Sequence, residues 1–216
     1  MSSHPSDLPS TIAARVEHEL VIKKSRFIAT VVPVRSVAEA DAEIAALRKR
    51  YWDARHNCVA LVVGGHADQQ RSSDDGEPSG TAGVPMLEVL RQRHLTDLVA
   101  VVTRYFGGVL LGAGGLVRAY SHGASLAVAA GGIQNMRLCL EAQLVCDYAQ
   151  YGWAAPLIAA AGGTVDDTVY TDAVPLRFHL PVGLESRLQS ELTEKSAGKL
   201  SFTVENTRYY AEPGQK

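Results

Sequence analysis

The sequence predicts an α+β protein of two domains, and three observations predict it. Short runs rich in Val and Ile, of strand length, alternate with stretches whose apolar residues recur at helical spacing. The order of these elements changes near residue 135, and from there to residue 210 it reads strand, helix, strand, strand, helix, strand, which is the ferredoxin-like order. A chain of 216 residues that is 46% hydrophobic is also long and apolar enough for one large core or two smaller ones.

Residues 1–15 read as a disordered tail, polar and carrying Pro5 and Pro9, without the apolar run of a secretory signal. Residues 16–135 form the first domain. Strands are predicted over 16–23 and 26–34, joined near Lys24 and Ser25. Ser36 is placed to cap a helix over 37–53, whose stripe of Ala40, Ile44, Leu47 and Tyr51 has helical spacing. The continuous apolar run 59–63 before Gly64 and Gly65 predicts a buried strand. A short helix over 85–92 has Pro85 in its opening turn. Residues 97–106 are the most hydrophobic strand, and a helix over 116–130 ends at Gly131 and Gly132. Residues 136–210 form the smaller, ferredoxin-like domain. It has strands over 140–147, 164–170, 174–180 and 200–206, helices over 150–161 and 183–197, and a turn at Thr171 and Asp172. Residues 211–216 read as a second tail.

The net charge of −2 gives no bulk electrostatic case for nucleic acid or an anionic membrane. Residues 1–135 hold 14 Lys and Arg against 13 Asp and Glu, and the remainder 7 against 10, so any nucleic-acid site must be a local patch. Cys58, Cys139 and Cys146 lack metal-ligand spacing and read as free thiols filling a core. No segment reaches about 18 uninterrupted apolar residues, so no membrane span is expected and the protein is expected in the cytoplasm.

The unusual chemistry lies between Arg71 and Arg118. One loop holds Asp74, Asp75, Gly76, Glu77 and Pro78; the other holds Gly107, Gly108, Gly112, Gly114 and Gly115. Glycine so dense implies positive φ or a close approach to the backbone. A glycine-rich turn from strand into helix favours an anion, because the first helical N–H groups and the helix dipole both point at it. Arg104 precedes this turn, and Arg118, His122 and Ser125 follow it on one helical face. A phosphate at the helix start would meet Arg104 and Arg118. The competing reading is that these arginines pair with Asp74, Asp75 and Glu77 and hold the two loops closed. The same carboxylates could instead hold a hard cation, although their spacing is not that of an EF-hand. A serine hydrolase would need Ser72, Ser73 or Ser79 beside a base such as His56, His66 or His122. His56 and Cys58 form either a Cys–His pair or a histidine satisfying a carbonyl. Lys23, Lys24 and Arg26 at the hairpin would extend a phosphate-binding surface or serve solubility alone. No motif calls for a cofactor.

Four ordered blocks resemble the YigZ/IMPACT family: Lys23 to Ala29, Ala54 to Cys58, Ser73 to Gly83, and Val102 to Tyr120 with its glycine loop. The resemblance implies a first domain like domain 2 of ribosomal protein S5 and domain IV of elongation factor G. It likens the second domain to domain V of the same factor. Eukaryotic relatives regulate translation initiation by competing for the activator of a stress-responsive kinase, through a further domain and its partners. For a chain of the bacterial type the resemblance implies nucleic-acid or ribosome association, with no assigned catalytic residues. The expected function is therefore translation-associated binding of RNA or the ribosome through the glycine loop, Arg104, Arg118 and His122, extended by Lys23, Lys24 and Arg26. The alternatives are a metal-assisted enzyme on a small anionic or phosphorylated substrate, and a protein-binding module.

Overall fold

The continuous apolar character of residues 59–63 and 98–102 follows from burial on both faces. The computed structural model describes residues 9–65, 67–170 and 172–212; His66, Thr171 and the outer tail residues 1–8 and 213–216 lie outside the described residues. The described chain divides into two compact units between Met136 and Arg137, with Ala211 and Glu212 belonging to the first.

The first unit runs β1 (Ser10–Ile12), β2 (Val16–Ile22), β3 (Ser25–Pro33), α1 (Val37–Arg50), β4 (His56–Val63), β5 (Gln69–Ser73), α2 (Gly83–Gln92), β6 (Leu98–Tyr105) and α3 (Ala113–Gly131), and then enters β7 (Ile133–Cys146). Its main sheet has the order β2-β3-β6-β4-β5, antiparallel at every step. Alternation along the central strands sends one set of side chains to each face. Phe27, Ala29, Cys58, Ala60, Ala100 and Val102 pack with α2 and α3. Ile28, Val59, Leu61, Val99 and Val101 pack with Ala40, Ile44 and Leu47 of α1. Ser36 caps α1 as expected, its hydroxyl accepting from the Glu39 N–H at 3.2 Å.

Three departures from expectation have physical causes. Ser10–Ile12, expected within a disordered tail, pairs with residues 133–135 of β7 and buries Ile12. A three-residue strand with one large apolar side chain leaves no periodic signal. Gln69–Ser73, unassigned from sequence, is an exposed polar strand at the sheet edge. Ala211, expected in the C-terminal tail, closes the last strand, and the Glu212 N–H donates to Asn135 O at 2.8 Å.

The second unit contains the rest of β7, then α4 (Tyr148–Ala160), β8 (Thr164–Thr168), β9 (Val174–Pro181), α5 (Glu185–Ser196) and all but the last residue of β10 (Phe202–Ala211). β10 pairs with β7, β7 with β9, and β9 with β8. This is the ferredoxin-like arrangement, with the fourth strand beside the first. Leu144, Leu176, Phe178 and Leu180 on the sheet meet Ala154, Ile158, Leu188 and Leu192 on its two helices. Asp147 and Gln150 form a complete capping box at the start of α4.

Candidate functional site

The acidic loop after β5 does not gather its carboxylates. Each takes a separate protein partner. Asp74 reaches across the loop: Oδ1 accepts from the N–H groups of Ala82 and Gly83 at 3.0 and 2.8 Å, and Oδ2 from that of Gly80 at 2.8 Å. It thereby caps α2, whose own N-cap residue, Ala82, has no side chain for the task. Burial pushes the Asp74 carboxyl up, but the three N–H groups of Gly80, Gly83 and Ala82 outweigh it and hold it below the usual carboxylate value. Asp75 accepts from the Asn57 N–H at 2.7 Å and pairs with Arg48 at 3.0 Å. Glu77 is buried. Its Oε1 accepts from Arg104 Nη1 at 2.6 Å and from the Tyr120 hydroxyl at 2.8 Å. Among the described residues no group of three or more His, Cys, Asp or Glu is placed to hold a metal ion.

Arg104, read from sequence as a phosphate contact, is 5% exposed and is engaged inside the protein. Beyond Glu77 it donates to the Ser25 hydroxyl at 3.3 Å and lies over the rings of Phe27 and Phe106, 5.4 and 5.6 Å from their centroids. His56 and Cys58 likewise serve the loop. Nδ1 of His56 is 2.9 Å from Asp75 O, and Cys58 Sγ donates to Asp74 O at 3.0 Å. Burial pushes the Cys58 thiol up to about 12, so it stays protonated. Burial, with Cys58 and Glu77 against it, also pushes the Tyr120 hydroxyl up.

At the glycine loop, what approaches the backbone of Gly107 is the protein itself. A Cβ there would stand 2.0 Å from the carbonyl carbon and oxygen of Lys24. The Ser25 hydroxyl accepts from the Gly107 N–H at 3.3 Å, tying hairpin to loop. Gly107→Ala is expected to destabilise the first unit by about 1–3 kcal/mol through overpacking. The urea midpoint measures this, and an unchanged midpoint would contradict so close an approach.

Beyond Gly107 the loop opens. Gly108 and Gly112 adopt φ of +82° and +72° with nothing near a would-be Cβ. Gly112 is the N-cap of α3, so no side chain caps this helix, and no acidic residue stands in its first turn. The positive end of α3 thus lacks the carboxylate that α2 receives from Asp74. Beside it lies a cleft of about 280 Å³, lined by Ile22, Lys23, Leu111, Gly115, Arg118, Ala119 and His122. Lys23, Arg118 and His122 are exposed, and no carboxylate lines the cleft among the described residues. Gly114 stands next to it, its would-be Cβ 3.7 Å from Arg118 Nη1.

The sequence-predicted residues therefore separate. The structure brings Lys23, Arg118, His122 and Gly115 together, and holds Arg104 with Glu77 elsewhere. Lys24 is exposed at the hairpin turn with φ of +65°. Arg26 points to Glu19, with contacts at 2.8 and 2.9 Å. Ser125 accepts from Arg93 Nη2 at 2.7 Å. Sequence reasoning missed Ser25, which joins Arg104 and Gly107, and Phe106, which stays 45% exposed at the loop entrance. The signal for Phe106 was an aromatic residue immediately before a glycine pair.

This geometry lies within a recognisable domain. Residues 23–128 match the Impact N-terminal domain, and residues 144–199 match a domain of unknown function, DUF1949. The IMPACT family member YvyE of Bacillus subtilis is 40% identical over 189 residues, 88% of this chain and 87% of its own. The chain belongs to the IMPACT family. A second IMPACT family member, YigZ of Escherichia coli, is 40% identical over 183 residues, 84% of this chain and 90% of its own. A crystal structure of a hypothetical protein superposes with a TM-score of 0.70 at 37% identity, covering 93% of this chain and 98% of that one. The acidic loop, the Arg104–Glu77 pair and every cleft-lining residue but Ile22 of this IMPACT family member fall inside the Impact N-terminal match. No helix among the described residues is long and apolar enough to cross a membrane. Membership in the IMPACT family suggests a role in regulating translation.

Proposed function

We propose that this IMPACT family member binds the phosphate backbone of RNA, free or within the ribosome, through the cleft beside α3. One observation carries the reading: Lys23, Arg118 and His122 converge on an open cleft at an uncapped helix N-terminus, with no carboxylate lining it among the described residues. The overall charge of −2 does not oppose this, because phosphate binding is decided by the local field. Arg104 no longer belongs to the contact surface. Its part is to hold Ser25, beside the hairpin turn that carries Lys23 to the cleft.

The test is an RNA titration at several salt concentrations. Wild-type affinity should fall linearly with salt on logarithmic axes. Lys23→Ala combined with Arg118→Ala should weaken binding about tenfold and flatten that slope by one to two units, since two phosphate contacts are lost. Both residues are exposed, so the fold should be unaffected. Equal affinity and equal slope in wild type and variant would remove this cleft from RNA binding.

A further inference from the structure

We propose that the RNA taken by this site is unpaired, and that Phe106 is the platform on which one of its bases stacks. The inference rests on the RNA reading of the cleft and adds the class of RNA. Phe106 is 45% exposed immediately after β6. It is nevertheless held in place. The Arg104 guanidinium lies over the ring, 5.6 Å from its centroid, and that guanidinium is fixed in turn by Glu77 and by the Ser25 hydroxyl. The residue after Phe106 is Gly107, whose backbone is pressed against the Lys24 carbonyl. Phe106 therefore stands on a rigid mount directly beside the Lys23–Lys24 turn, and Lys23 lines the cleft.

A rigid, exposed aromatic ring next to a basic groove is the arrangement that single-stranded nucleic acid requires. Phosphates follow the cations, and a neighbouring base finds a flat apolar face. A duplex cannot use such a ring without unstacking one of its own base pairs. Charge complementarity also selects the occupant: the cations are on this side, and the acidic loop is neutralised by its own partners. Arg104 acts here as a positioning residue, orienting the ring from behind.

The experiment compares a labelled oligouridine about ten nucleotides long with a duplex RNA of the same length, by fluorescence anisotropy. Wild type should favour the single strand. Phe106→Ala should weaken single-strand binding about tenfold, change duplex binding less than twofold, and leave the salt slope intact, because no phosphate contact is removed. Phe106→Tyr should restore single-strand affinity. Phe106→Trp supplies a second readout, since stacking should quench its fluorescence on binding relative to the parent protein with Trp52 and Trp153 alone. If Lys23→Ala with Arg118→Ala weakens binding but Phe106→Ala does not, the platform is wrong and the RNA reading stands. If neither the oligouridine nor the duplex binds in low salt, both fall; if the duplex alone binds, only the choice of unpaired RNA falls. Equal affinity for single strand and duplex overturns the choice of unpaired RNA.

Discussion

Glu77→Ala is expected to destabilise the first unit by about 3–5 kcal/mol, because it strands the Arg104 charge in the interior. The two side chains are only 6% and 3% exposed and meet at 2.6 Å. Against a total stability on the order of 5–15 kcal/mol, such a loss empties much of the folded population. The effect comes from the charge left behind. A buried ion pair is itself weak evidence of stability, since desolvating both ions offsets most of their attraction. Arg104 also keeps one buried donor, Nε, without a hydrogen-bond partner among the described residues. Hence Glu77→Leu combined with Arg104→Met, which removes both charges at similar volume, should cost far less than the two single changes added together. Urea denaturation of wild type, both singles and the double closes the cycle, and the coupling should exceed about 2 kcal/mol. Additive losses would show that the pair is not coupled and that Tyr120 or packing explains the burial. Glu77→Gln should fall between, since an amide oxygen can still accept from Arg104 and from the Tyr120 hydroxyl.

That pair also shows where the sequence was readable and where it was not. The α+β class and the ferredoxin-like order were legible, because burial on one or two faces leaves periods of two, or unbroken apolar runs, in the chain itself. Residues 97–106 announce a central strand for that reason. The polar edge strand Gln69–Ser73 is mostly exposed and pairs with β4 through its backbone, so its residue types carry no apolar period. The site was half legible. Glycine density around Gly107 implied a close approach, but not that the approaching group was the chain's own Lys24. Arg104 and Arg118 stand 14 positions apart and look alike in sequence. Strand pairing places Arg104 opposite Phe27 and His56 in the middle of the sheet, while α3 carries Arg118 out to the cleft. Only non-local pairing distinguishes a buried arginine from an exposed one. Likewise three carboxylates within four positions read as one acidic cluster, yet each is drawn to a different element.

The most telling of those three is Asp74, and Asp74→Ala is expected to destabilise the first unit by about 3 kcal/mol at neutral pH. The change removes the acceptor for three backbone N–H groups at once, those of Gly80, Ala82 and Gly83. Two of these open α2, where a carboxylate also meets the positive end of the helix. Ala82 and Gly83 are buried, so water does not readily replace the lost bonds. The pH dependence follows from the sign of the shift. The Asp74 carboxyl sits below its ordinary value in the folded state because those N–H groups together outweigh its burial. The folded protein therefore binds this proton less tightly than the unfolded chain does. The stabilisation is complete above the unfolded value of roughly 3.9, and it is lost as pH falls through the lower folded value. The gap in urea midpoint between wild type and Asp74→Ala should accordingly be widest near pH 7 and should narrow below about pH 4. A gap that stays constant down to pH 2 would mean that the charge on Asp74 contributes nothing. The capping of α2 would then rest on hydrogen bonds that a neutral Asp74 carboxyl accepts as well as a charged one, beside the constraint of Gly83 pressed against the Ser73 backbone.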